Sequence, residues 1–280
     1  MARLGENQYG KSRVRLSRIT RLADRHLFQE WNVCVLLQGD FEDSFMKADN
    51  SNILPTDTMK NTVYSLARDS HAETIEEFAI ELCDHLLDNN APVKSVTVNI
   101  SERAWEPMII DDKLEPHSFK MSGPEVQTTR VARSRGEPWS VTSGVDGLTI
   151  LKTTNSGFEG FVRDKLTTLR PVKDRIFGTS ATATWQFSSP KPQYSAIRER
   201  VISALLKEFA HHDSKSVQHT LFDMGSAALE AAPEVARITL TMPNLHHLLA
   251  DLSAFGQDNP NHIFVPIDEP HGYIEATVER

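Results

Sequence analysis

Near the start of the chain Val14 and Leu16 alternate with polar neighbours, and the run 31–37 carries β-branched residues between polar ones, so the pattern predicts two strands forming a hairpin. After Pro55 the period changes: Met59, Val63, Leu66 and Ala67 fall at helical spacing, with Thr56 or Asp57 available as the N-cap. A second helix is predicted where Ile75, Phe78, Ala79, Leu82, Cys83 and Leu86 follow i, i+3, i+4, i+7, i+8 and i+11. Thr74 and Glu77 have the spacing of a capping box at its head, and Asn89, Asn90 and Pro92 stop it. Val96, Val98 and Ile100 then alternate with Ser95, Thr97, Asn99 and Ser101 as a half-buried strand does, and 126–132 fits a further strand.

From about Pro138 the same order recurs. Strands fit 148–154 and 181–187, although the segment between them is long and carries helix-like stretches. Ile197, Val201, Ala204, Leu205 and Phe209 predict one amphipathic helix, and Val217, Leu221, Met224 and Ala228 another, stopped by Pro233. Ala236, Ile238, Leu240 and Met242 alternate with Arg237, Thr239 and Thr241, and a last strand runs through Ile274, Ala276 and Val278. The chain thus reads as ββααββ written twice, without residue-for-residue identity, with units at 1–137 and 138–280. Turn sequences such as Glu269-Pro270-His271-Gly272 suit antiparallel pairing, so the expected class is α+β: antiparallel sheets, each with two helices on one face. The open sheet edges call for further subunits to cover them.

Composition narrows this only a little. With 280 residues, 39% hydrophobic and 24% charged, the chain can bury a sizeable core, which rules out a disordered protein. A net charge of −8 argues against a general nucleic-acid binder, and the cluster Arg130, Arg133 and Arg135 reads as a solvated strand end and loop. Cys34 and Cys83 stand far apart and read as buried thiols, giving neither a disulfide framework nor a structural zinc site. No apolar segment approaches the roughly 20 residues of a membrane span, the start lacks a signal-like apolar run, and the end lacks a peroxisomal Ser-Lys-Leu. The expectation is a cytoplasmic protein without a membrane or nucleic-acid partner.

Candidate chemistry is sparse when spacing alone is used. Counting down the strand from Ala236 puts Asn244 and His246 on the parity of its apolar residues, unless the strand has ended by Pro243 and both merely cap it. His247 is out of phase and reads as surface, and His211-His212 reads as a solvated helix end. No histidine spacing is joined by a well-placed carboxylate, so a metal site is weakly supported. Arg175, in Lys173-Asp174-Arg175, reads by itself as a surface ion pair. Gln218 follows Ser216 in the first turn of a helix, where it is either a capping partner or a contributor to an anion site. Lys11, Thr56 and Asp57 are ordinary separately: a basic residue opening a strand, and a helix cap.

What gathers these residues is a resemblance. The stretch 151–161, Leu-Lys-Thr-Thr-Asn-Ser-Gly-Phe-Glu-Gly-Phe, continuing to Thr167-Thr168-Leu169 and Asp174-Arg175, resembles the signature of the urate oxidase (uricase) family. So do Tyr9-Gly10-Lys11, the stretch 56–64 from Thr56 to Tyr64, Met242-Pro243-Asn244-Leu245-His246-His247, and the stretch 268–277 that contains Glu269-Pro270-His271-Gly272. The blocks occur in the family's order over nearly the whole chain; Leu166 departs, standing where the family usually carries an aromatic. The resemblance implies the tunnelling fold, in which tandem ββααββ units assemble into a homotetramer with active sites at subunit interfaces. It implies oxidation of urate by O2 and water to 5-hydroxyisourate and hydrogen peroxide, in purine degradation, with no metal or organic cofactor.

Carried over residue by residue, the resemblance places substrate binding on Thr56, Asp57, Phe158, Arg175, Val217, Gln218 and Asn244. It places the catalytic proton relay on Lys11, Thr56 and His246, with Thr56 and Asp57 reaching the purine from a neighbouring subunit. The chemistry is coherent. Arg offers a rigid donor fork and Gln both donor and acceptor to a planar anion, while an aromatic face suits its ring. Two other readings remain open at this point: a tunnelling-fold enzyme that processes pterins or purine nucleotides with zinc, and a purine-binding module without turnover.

Overall fold

The computed structural model describes residues 2–188 and 192–280. The chain divides into two compact units, Met1–Gly144 and Val145–Arg280, with the division inside a strand. In chain order the first unit holds β1 (Tyr9–Arg21), β2 (His26–Gly39), a short α1 (Glu42–Lys47), α2 (Thr56–Asp69), α3 (Ile75–Asp88), β3 (Val93–Ile110) and β4 (Lys113–Ser134). β5 (Ser140–Lys152) contains the division. The second unit continues with β6 (Phe177–Phe187), α4 (Tyr194–His211), α5 (Val217–Ala231), β7 (Val235–Thr241), β8 (Asn244–Leu249), a 3-10 turn at Ser253–Phe255, β9 (Phe264–Gly272) and β10 (Glu275–Glu279).

In the first unit β1, β2, β3 and β4 are neighbours in that order, all antiparallel. The alternation predicted from sequence becomes one buried face: Trp31, Val33, Val35 and Leu37 of β2 beside Val96, Val98 and Ile100 of β3. Onto it pack Met59 and Val63 of α2 and Phe78, Leu82 and Leu86 of α3. The Trp31 and Phe78 rings stack at 4.9 Å across the layer. Each such side chain, fully buried, contributes about 1.5–3 kcal/mol of transfer free energy, which is why the apolar stripe fixes the helix face. The capping box at α3 forms as expected: the Thr74 hydroxyl accepts from the Glu77 N–H, and the Glu77 carboxylate accepts from the Thr74 N–H. On α2 the expectation shifts by one residue. Pro55 is the N-cap and makes no side-chain cap, so Thr56 is already helical and Asp57 lies in the first turn.

One irregularity in this sheet concerns a candidate residue. The β1–β2 register slips between Lys11 and Val14, with Arg13 in left-handed backbone at φ 57°. Such a bulge re-aims the neighbouring side chains. Gly10 fits because a Cβ there would stand 1.9 Å from the Val35 carbonyl oxygen.

The second unit repeats the plan. Its strand path is β5, β6, β7, β10, and the antiparallel β6–β7 and β7–β10 pairs bring Trp185 opposite Ile238 and Ile238 opposite Val278. Ala181, Ala183, Trp185, Ile238 and Leu240 share one core with Ile197, Val201 and Leu205 of α4 and Leu221, Met224 and Ala228 of α5. Each unit is thus an antiparallel sheet with helices on one face, as expected.

Several local expectations are corrected. Segment 153–176 contains no helix among the described residues; it is held by isolated bridges, Ser156 to Ser214 and Phe158 to Val172. Glu269 to Gly272 form the end of β9 rather than a turn, and the chain leaves the ladder at Tyr273 and Ile274. The strand predicted to 242 ends at Thr241, and a new one starts at Asn244. The β8–β9 hairpin and α1 are additions to the predicted plan. Cys83 is buried and its thiol is pushed up to about 12 by burial, whereas Cys34 is only half-buried; both are free.

Two members of the basic cluster are engaged within the fold, Arg133 with Asp84 and Arg135 with the carbonyls of Leu87, Asn90 and Val93, while Arg130 is exposed. Among the described residues no helix is long and apolar enough to cross a membrane.

Candidate functional site

The irregular segment 153–176 is ordered by its own backbone. The Phe158 N–H donates to the Val172 carbonyl at 2.7 Å and receives the return bond from Val172 at 3.1 Å, while the Arg175 N–H donates to the Ser156 carbonyl at 2.8 Å. Gly157 allows this crossing, since a Cβ would lie 2.9 Å from the Lys173 carbonyl oxygen. Gly157 N–H and Ser214 N–H tie the segment to the approach of α5, donating to Ser214 and Asn155 carbonyls respectively. Asp174 accepts from the Thr154 hydroxyl at 2.9 Å, so it is engaged locally rather than as an ion pair with Arg175.

The result sets Arg175 beside an aromatic stack. Its guanidinium carbon lies 5.5 Å from the Phe158 ring centroid, and Phe158 in turn stacks on Phe161 at 5.0 Å with the planes 9° apart. The surface ion pair expected of Arg175 is corrected: the residue is half-buried, its Nε is buried without a partner, and it has no ion pair among the described residues. Burial pulls its pKa down, the mark of a cation that lacks compensation.

Phe158 and Arg175 line a cavity of about 750 Å³ together with Val217, Gln218, Asn244 and His246, all in the second unit. Val217 and Gln218 open α5, where free N–H groups and the helix dipole favour an anion. Ser216 caps that helix by accepting from the His219 N–H at 3.1 Å, which leaves the Gln218 side chain to the cavity. Asn244 pairs with Gly272 and His246 with Ile267 at the base of the β8–β9 hairpin. Both therefore belong to a strand, though not to the strand counted from Ala236. The His246 imidazole is held below its ordinary pKa by burial and then by Arg175 and His271.

Two histidines were misread from sequence. His247, expected at the surface, is half-buried and lines the same cavity, with its Nδ1 buried and unpartnered. His212, expected to be solvated, has a side chain only 9% exposed, against Asp223 and Glu208.

Lys11, Thr56 and Asp57 belong to the first unit and are not among the residues lining this cavity. They form a polar group of their own. Asp57 accepts from Lys60 at 2.5 Å and Asn61 at 3.1 Å, and its carboxyl is held below the usual range by Lys60 first, with Lys11 contributing.

Comparison with known proteins gives one family. A family model described as uricase matches residues 7–132 and 141–275. The uricase of Arthrobacter globiformis is 42% identical over 277 residues, covering 99% of this chain and 90% of its own, and that of Dictyostelium discoideum is 38% identical over 100% and 98%. The crystal structure of the Arthrobacter globiformis uricase superposes with a TM-score of 0.94 at 41% identity, over 100% of this chain and 96% of that one.

Proposed function

The chain belongs to the uricase family, and from that premise we propose that the cavity lined by Phe158, Arg175, Val217, Gln218, Asn244 and His246 is where it binds and oxidises urate. The protein is an oxidoreductase acting on urate in purine degradation. The observation that carries the siting is Arg175: a half-buried cation with no ion-pair partner among the described residues, over an aromatic face, beside a helix N-terminus. A planar purine anion supplies what each of these lacks. Phe158 takes the ring, Arg175 forks onto adjacent acceptors, and Gln218 with the Val217 N–H reads the neighbouring edge. The global charge of −8 does not oppose this, because the local field of Arg175 and the helix terminus dominates at contact distance.

Dioxygen is a triplet and reacts slowly with closed-shell molecules, so the substrate must be made electron-rich before it can give up an electron. Removing a proton from bound urate does this, and Arg175 stabilises the charge that remains. Lys11, Thr56 and His246 form the proton relay, and Asn244 holds first O2 and then the attacking water over the ring. Two electrons pass from urate to O2, water adds to the oxidised ring, and 5-hydroxyisourate and hydrogen peroxide leave; no metal or organic cofactor takes part in these steps. Burial keeps His246 neutral at ordinary pH, the form able to accept a proton.

Because Lys11, Thr56 and Asp57 lie outside the lining of the second unit's cavity, the reading includes their delivery by another chain in a homotetramer. A cytoplasmic location belongs to the same reading, supported by two free thiols. The test is urate-dependent peroxide release with loss of urate's ultraviolet absorbance, measured on metal-stripped protein. Stoichiometric urate binding without either signal identifies a binding module instead. Turnover of a pterin in place of urate, restored only by zinc, identifies the zinc enzyme.

A further inference from the structure

At the junction of α4 and α5, outside the cavity lining, three metal-binding side chains converge. His212, which caps the end of α4, and His219 and Asp223, in the first two turns of α5, place their ligand atoms within 4.8 Å of one another. The Asp223 Oδ2 stands 3.2 Å from His212 Nδ1 and 3.3 Å from His219 Nε2. Metal–ligand bonds of roughly 2.0–2.1 Å at tetrahedral angles require ligand atoms about 3.3 Å apart, so two edges of such a polyhedron already stand at the right length. Glu208 Oε1, 3.7 Å from His212 Nδ1, is a further oxygen on the His212 side of the group.

The spacing is built into the helices: Glu208 and His212, and His219 and Asp223, are i,i+4 pairs on facing surfaces. We propose that His212, His219 and Asp223 bind one divalent transition-metal ion of the zinc class, with Glu208 or water completing the shell.

Two imidazoles and a carboxylate select a borderline ion such as Zn2+ or Co2+ over Mg2+ or Ca2+, which take all-oxygen shells. His219, half-exposed, is the entry side, while the His212 carbonyl receives the Lys152 ammonium and fixes the turn. The ion would tie the end of α4 to the turn that presents Val217 and Gln218, so it braces one wall of the cavity without touching the reacting atoms.

The test uses tag-free protein, stripped with a chelator and titrated with Zn2+ by calorimetry and with Co2+ by visible absorption. The expected result is one equivalent bound, a four-coordinate Co2+ spectrum, and a melting point higher by roughly 5–10 °C at a hundredfold excess over Kd. His219→Gln, at an exposed position, and His212→Ala should each weaken Zn2+ binding by about 100-fold or more, beyond the cost of losing an outer-shell partner. Should His212→Ala fail to fold, His219→Gln decides alone. No saturable binding, or binding that survives His219→Gln, overturns the site. Loss of urate turnover on stripping would move the ion into catalysis and overturn the bracing role.

Discussion

Replacing Arg175 with Gln is expected to abolish most activity while leaving the fold intact, and the structure sets the size of both effects. The side chain makes no ion pair among the described residues, and its guanidinium lies over the Phe158 ring at 5.5 Å. Losing that cation–π contact costs about 0.5–2 kcal/mol, offset by relief of an uncompensated buried charge, so net stability should move by no more than about 1 kcal/mol. For a chain of this size that is a melting shift of roughly 2–4 °C. Against a bound anion the balance reverses. Truncating one partner of a buried charge pair costs about 2–5 kcal/mol, or roughly 30-fold to several thousandfold in kcat/KM. Urate absorbance decay gives the first quantity and calorimetric melting the second. Unchanged kcat/KM, or a melting point lowered by much more than that shift, would refute the reasoning by making Arg175 a structural residue.

Other outcomes follow from the same geometry. Lys11→Met should lower kcat by at least about 100-fold while changing urate affinity little, because general acid–base groups contribute roughly 10²–10⁴; steady-state kinetics beside equilibrium binding separates the two, and equal losses would contradict the relay. Gly225→Ala sets a helix-propensity gain of about 1 kcal/mol against overpacking of about 1–3 kcal/mol, and since a Cβ there stands 2.6 Å from Val278 Cγ2, the variant should be less stable in denaturant titration. His246 and His212 are both depressed below the ordinary imidazole value by burial, so the unfolded chain binds protons first. Stability should therefore fall as pH drops below about 6.5 toward the folded values, and His246→Gln should flatten that slope in melting curves taken across the range.

How much was legible in sequence depended on where the order came from. The α3 capping box and the alternations of Val96 to Ile100 and Ala236 to Leu240 were readable because a single element carries its own period. The segment around Phe158 and Arg175 has no period, since backbone crossings between Phe158, Val172 and Ser156 order it. β8, whose residues are at most half-buried, alternates too weakly to register as a strand of its own, so the sequence leaves Asn244 and His246 either on the strand from Ala236 or as caps beyond its end at Pro243, and reads His247 as surface; the first strand does end before Pro243. His212 owes its burial to Asp223 and Glu208 on two helices, a relation that spacing along one helix does not encode. Grouping Lys11, Thr56 and Asp57 with Arg175 rests on family resemblance alone.

The most direct test of the account mixes two inactive variants. Lys11→Met and Arg175→Gln chains, unfolded and refolded together in equal amounts, each contribute the residue the other lacks. If every urate site is completed by a second chain, about a quarter of the sites in randomly assorted oligomers carry both native residues, and that share of wild-type peroxide production should return. Activity no greater than that of the separately refolded variants would contradict a site shared between chains.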